Sequence, residues 1–190
     1  MKKVKLTTAI ITMLILSLTA MSCNKNEKSS IDNSNKTNQE NTSNKSNGSS
    51  QTSGKEVVAD YMVLKDALVS SNKDAAAKAG ATMQTSLNNF DLSKYTAQQQ
   101  KDLKDIITDA KENAEHISES KVEHQREHFK ILTKDITDMI AITGANGKVY
   151  QMYCPMYDGG SNWLSTSKEI KNPYYGGKMT TCGTMQKELN

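Results

Sequence analysis

TAQQQKDLKDIITDAKENAEHI, residues 96–117, sets the fold class. Leu103, Ile106, Ile107, Ala110, Ala114 and Ile117 fall at the spacing of one helix face, with charged and amide residues on the other. Thr96 and Gln99 stand three apart at its start, the spacing at which a hydroxyl and an amide cap each other's backbone N–H. The stretch therefore predicts a long amphipathic helix that needs apolar partners.

Those partners lie on both sides in sequence. KEVVADYMVLKDALVSS, residues 55–71, carries Val57, Tyr61, Leu64 and Leu68 on one face. Asn72 is placed to cap DAAAKAGATMQTSLNNF, with Ala76, Ala79, Met83, Leu87 and Phe90 as its stripe. Gly80 weakens the middle of that helix and marks a close helix crossing. Downstream, Ser120 and Glu123 repeat the capping-box spacing before Val122, Phe129, Leu132, Ile136, Met139 and Ile140, and GANG at 144–147 stops the run. Four such segments with short connections predict an all-α domain, an antiparallel four-helix bundle with a solvated charged exterior.

Beyond Gly147 the pattern changes. VYQMYCPM, residues 149–156, has the composition of a short β segment, and Gly159-Gly160, Asn172-Pro173 and Gly176-Gly177 are turn signals. The tail, 147–190, holds the single Trp, both prolines, and five of the seven tyrosines. It is expected to be irregular and to pack on the bundle, with Trp163 and Tyr174 as the anchors.

The N-terminus has a different grammar. Lys2, Lys3 and Lys5 precede LTTAIITMLILSLTA, an apolar run shorter than the roughly 20 residues that span a bilayer. Small residues follow and then Cys23, a pattern that predicts a lipoprotein signal peptide at 1–22 with lipidation of Cys23. Residues 23–54 are polar, with Ile31 the one large apolar side chain, and are expected to form a disordered tether. The folded domain is then 55–190, anchored to a membrane through lipid and facing the periplasm or cell surface. Of 24 basic and 21 acidic residues, three lysines and no acids lie in the signal, so the chain after Ser22 is charge-balanced. Its isoelectric point near 8.6 thus belongs to the signal and gives no argument for nucleic-acid binding.

Several short motifs occur together: Arg126, His128 and Phe129 as RxHF; VYxxYCPM at 149–156; WLS at 163–165; KEIxNPYYGxKM at 168–179; CG at 182–183. Over about residues 55–183 the chain resembles a bacterial family of uncharacterised envelope domains. Its members occur as free-standing lipoproteins, and similar domains sit at the C-terminal end of membrane-fusion adaptors from heavy-metal efflux systems. The resemblance implies a metal-handling context, chiefly copper, with efflux components as partners. Residues 157–162 do not align, and nothing is carried over from them.

The side-chain chemistry fits that context. Thiolate and thioether sulfur are soft donors suited to Cu(I), and Cys154, Met156, Met179 and Cys182 would supply a set if the two ends of the tail meet. His128 is a further candidate ligand, at the edge of the Phe129 stripe, while His124 points further toward solvent. His124 and His128 at i and i+4 also suit zinc, although no HExxH surrounds them. The competing reading is a Cys154–Cys182 disulfide, natural in an oxidising envelope, with a tail that docks a protein partner such as an efflux adaptor. Both readings stay open. Met62, Met83 and Met139 fit helix positions as core filler, and Met152 and Met185 complete the tail's methionines. No GxSxG, P-loop, GxGxxG or zincin motif is present, and no enzyme is expected.

Overall fold

A computed structural model of the chain describes residues 51–189. The expected signal peptide, the expected lipidation site Cys23 and most of the expected tether lie outside the described residues. No described helix is long and apolar enough to cross a membrane.

Four helices form where the apolar periodicity places them: α1 Gly54–Val69, α2 Lys73–Asn88, α3 Ala97–Glu119 and α4 Val122–Thr143. Asn72 caps α2 by accepting from the Ala75 N–H at 3.0 Å, and Thr96 with Gln99 makes the expected box on α3. Gly144, with φ +75°, ends α4. The expected box at Ser120 and Glu123 does not form. Ser120 instead closes α3 and Lys121 precedes α4 without a side-chain cap, because only two residues join the helices and both serve as termini.

Consecutive helices pack on each other, and α4 also meets α1 and α2. Tyr61, Leu64, Leu68, Met83, Leu87, Leu103, Ile117, Phe129, Leu132 and Ile136 are the large buried side chains of the bundle. A Cβ on Gly80 would stand 2.9 Å from the Ala114 carbonyl oxygen and 3.0 Å from an Ile117 methyl, so this glycine permits the close crossing of α2 on α3. Met62 is half-buried rather than core, whereas Met83 and Met139 are fully enclosed. The fold also reaches back into the expected tether: the Thr52 N–H donates to the Asn89 carbonyl and the Thr52 carbonyl accepts from Asp91 N–H.

The tail differs most from expectation. It is a three-stranded antiparallel sheet, so the domain is mostly helical and not all-α. Strands β1 Val149–Cys154, β2 Ser161–Ser165 and β3 Thr184–Leu189 lie in the order β2-β1-β3, with Met152 opposite Trp163 on one side and Met185 on the other. A register shift between Gln151 and Met152 interrupts the β1–β3 ladder. The segment between β2 and β3 carries a short 3-10 turn, Gly176–Lys178.

Three contacts fix this sheet to the helices. The Tyr61 hydroxyl, 2.7 Å from Thr133 Oγ1, accepts from the Leu164 backbone N–H at 3.1 Å and so joins α1, α4 and β2. Arg126 on α4 bonds the Pro173 carbonyl. Trp163 and Tyr174 are buried as expected, and the Tyr174 ring lies 5.8 Å from that of Phe129 on α4 while its hydroxyl donates to the Asn162 carbonyl. Gly183 has φ +144°, and a Cβ there would sit 2.5 Å from Trp163 Cη2, which explains a glycine directly after Cys182.

Candidate metal centre

The structure sorts the candidate ligands into two groups. Cys154 ends β1, and Cys182 lies just before β3. Their Sγ atoms are 3.0 Å apart as free thiols, so the two ends of the tail do meet. Asn172 holds this arrangement. Its buried amide donates to the Cys182 carbonyl at 2.7 Å, its oxygen accepts from the Tyr174 N–H at 2.8 Å, and its own N–H reaches the Thr180 carbonyl at 2.7 Å.

The two thiols are electrostatically unequal. Burial opposes ionisation of Cys154, but hydrogen bonds from Cys182, the Met156 N–H, Asn172 and the Tyr157 N–H together bring its thiol below the ordinary value. The hydrogen bond to Cys154, reinforced by desolvation, raises Cys182. Cys154 is thus the favoured thiolate and Cys182 the proton donor to it, the arrangement by which turn N–H groups make one sulfur a nucleophile and a soft ligand. Met156 and Met179 flank the pair in sequence, yet both are exposed, at 63% and 40%. The Met156 backbone serves the Cys154 sulfur, while the Met179 carbonyl accepts from the Cys182 N–H at 3.2 Å.

His128 is engaged elsewhere. It projects from α4 toward α3, where Nδ1 lies 3.0 Å from Asn113 Oδ1 and Nε2 lies 3.1 Å from His124 Nε2. Its ring stacks on His116 at a centroid distance of 4.4 Å. One ligand atom from each of His116, His124 and His128 can be chosen so that all lie within 4.8 Å of one another. Asn113 is held in turn by donating to the Asp109 carbonyl at 2.9 Å and to Asp135 Oδ2 at 3.3 Å. Burial, followed by the adjacent His116 and His124, lowers the pKa of His128, so the ring is neutral and free to act as a ligand at neutral pH.

Sequence reasoning included His128 and His124 but missed His116. The available signal was a third histidine eight residues before His124, on the far side of a two-residue helix connection. Helical spacing within α4 cannot show that pairing, because it depends on how α3 folds back on α4.

Fold and side chains define a small, mostly helical domain with a thiol pair and a histidine cluster on separate elements. Residues 57–148 match the family described as protein of unknown function (DUF3347), and this part of the chain is similar to that uncharacterised domain. The match covers all four helices apart from the first turn of α1 and ends one residue before β1. No curated protein and no solved structure matches the chain.

Proposed function

We propose that this protein binds or buffers a soft metal ion, Cu(I), in the cell envelope, held at a membrane by a lipid on Cys23. The observation that carries this reading is the meeting of Cys154 and Cys182 with the Cys154 sulfur cradled by backbone N–H groups. A lowered thiol pKa supplies the thiolate that Cu(I) prefers, and a second sulfur beside it completes two-coordinate ligation. Met156 and Met179, exposed on the flanking turns, are available as thioethers for capture and hand-over by ligand exchange. His128 is directed at α3 and is not needed for this site. The domain works without catalysis, and efflux components are the partners proposed to deliver or accept the ion.

A second reading is favoured by the 3.0 Å sulfur separation. An envelope disulfide oxidant can remove two electrons and two protons from the thiols and close a Cys154–Cys182 bond with little backbone movement. The tail would then be a stapled docking surface for an adaptor protein.

Titration of the reduced full chain with Cu(I) against a competing chelator, followed by mass spectrometry with thiol counting, separates the two. Retention of one Cu(I), lost on Cys154→Ser, supports the metal site. A chain that holds no Cu(I) while both thiols are free excludes it.

A further inference from the structure

The chain has three histidines, and all three meet at one corner. His116 occupies the last turn of α3, and His124 and His128 the first two turns of α4. The Ser120-Lys121 connection folds these turns against each other, with ring centroids 4.4 Å apart for His116 and His128 and 4.5 Å apart for His124 and His128.

The hydrogen-bond partners determine where the ring protons sit. Asn113 uses its NH2 group to donate to Asp109 and Asp135, so its Oδ1 is an acceptor and His128 Nδ1 must carry the proton. His124 Nδ1 lies 2.6 Å from Glu127 Oε2, and a carboxylate accepts. In both rings the proton therefore belongs on Nδ1, leaving a lone pair on Nε2. These two Nε2 atoms face each other at 3.1 Å. Two lone pairs at that distance repel unless a cation lies between them, either an extra proton or a metal ion. Tetrahedral coordination with Zn–N bonds of about 2.0–2.1 Å puts neighbouring ligand nitrogens about 3.3 Å apart, close to the spacing present.

We propose that His116, His124 and His128 form a binding site for a borderline divalent transition-metal ion of the Zn2+ class, separate from the thiol pair. His124 and His128 ligate through Nε2, and the exposed His116 ring turns to supply the third nitrogen. A fourth position stays open to water, as three-histidine sites on a surface allow. Asn113 and Glu127 fix the rings from behind by hydrogen bonds to Nδ1, the role that outer partners play for metal-bound histidine. Imidazole suits Zn2+ and Cu2+, whereas the thiols suit Cu(I), so the two sites answer to different ions.

The full chain in detergent, with Cys23, Cys154 and Cys182 all changed to Ser, isolates the histidines. Added Co2+ should give the visible absorption of a tetrahedral ion at one equivalent, bleached by Zn2+. His124→Asn and His116→Asn, at exposed positions, should abolish it while the helical circular dichroism is retained. Asn113→Ala should weaken Zn2+ binding by about 10–100-fold. In the chain with its cysteines intact, Zn2+ should shift the Nε2 resonances of His124 and His128. No Co2+ or Zn2+ uptake by the folded chain, or uptake indifferent to the histidine changes, overturns the proposal and leaves a shared proton between the rings. Cu(I) binding through Cys154 is read in a different chain with a different ion, so failure of one site does not imply failure of the other.

Discussion

Arg126 Nε donates to the Pro173 carbonyl at 2.9 Å, so a single side chain on α4 holds the segment that carries Asn172 and Tyr174. The same guanidinium reaches the Leu68 carbonyl at 3.3 Å and Ser71 Oγ at 2.8 Å, at the end of α1. Gly176 lies against both groups, where a Cβ would collide with Ser71 and Arg126. The arginine of the α4 motif and the glycine of the tail motif thus meet in one clamp between bundle and sheet.

Arg126→Ala leaves two carbonyls of a mostly buried contact without their donor. Loss of about 2–4 kcal/mol is expected in urea unfolding of the reduced chain, the range for removing a charged donor from buried partners. Arg126→Lys should recover little, because one ammonium cannot reproduce the planar fork that spans Pro173, Leu68 and Ser71. Full recovery by lysine would mean that charge alone matters there.

Asp135 gives a pH dependence with a definite sign. It is 7% exposed, and burial, with the nearby Asp109 charge second, pushes its pKa up from 3.8 to about 6. A folded-state value above the unfolded one means that its contribution is complete below about pH 4 and is lost as pH rises through 6. Asp135→Asn should therefore raise the melting temperature at pH 7, by a stability gain of about 1 kcal/mol after allowance for solvent screening. The difference between variant and parent should shrink toward zero as pH falls from 6 to 4. A gain that persists unchanged at pH 4 would show that the carboxylate's charge is not its cause.

Oxidation of the thiol pair should stabilise the fold. Cys154 and Cys182 are 28 residues apart in sequence, and closing such a loop is worth about 3.5 kcal/mol in the chain-entropy model. Denaturation midpoints of the oxidised and reduced full chain, with thiols counted in each, measure this directly. Cys182→Ser should be indifferent to oxidant. Equal midpoints for the two redox forms would indicate that native strain cancels the entropic gain.

The helices were legible because burial repeats along them: Leu103, Ala110, Ala114 and Ile117 occupy the inward positions that spacing assigns on α3. The sheet was legible only at β1. In β3, TMQKEL is exposed from Thr184 to Glu188, so no hydrophobic alternation marks it, and its pairing is set by backbone contact with β1. The meeting of Cys154 and Cys182 was anticipated from the chemistry of the tail. The placement of His128 was not, since its partner Asn113 reads as an ordinary polar residue on a helix and turns inward only where α3 and α4 pack. Ser120 shows the same limit at a smaller scale: its capping spacing was present, but the two-residue connection used the position to end α3.

Asn172 is the residue through which sheet geometry sets the chemistry of Cys154. Its amide joins the Cys182 thiol and the Met156 and Tyr157 N–H groups in lowering the Cys154 pKa, against the burial that raises it. Asn172→Ala removes one of these donors and also frees the Cys182 carbonyl and the Tyr174 N–H. The thiolate ultraviolet absorption of the reduced chain should then appear at higher pH than in the parent. A pKa below the unfolded value of about 8.5 adds stability that is present above that value and fades as pH falls through the folded one. The parent should therefore gain on Asn172→Ala most in alkaline solution, on top of a pH-independent loss of about 1–3 kcal/mol from the broken hydrogen bonds. An unshifted thiolate titration, with the structural loss still present, would assign Asn172 to holding the loop alone and leave the lowering of Cys154 to Cys182 and the two backbone N–H groups.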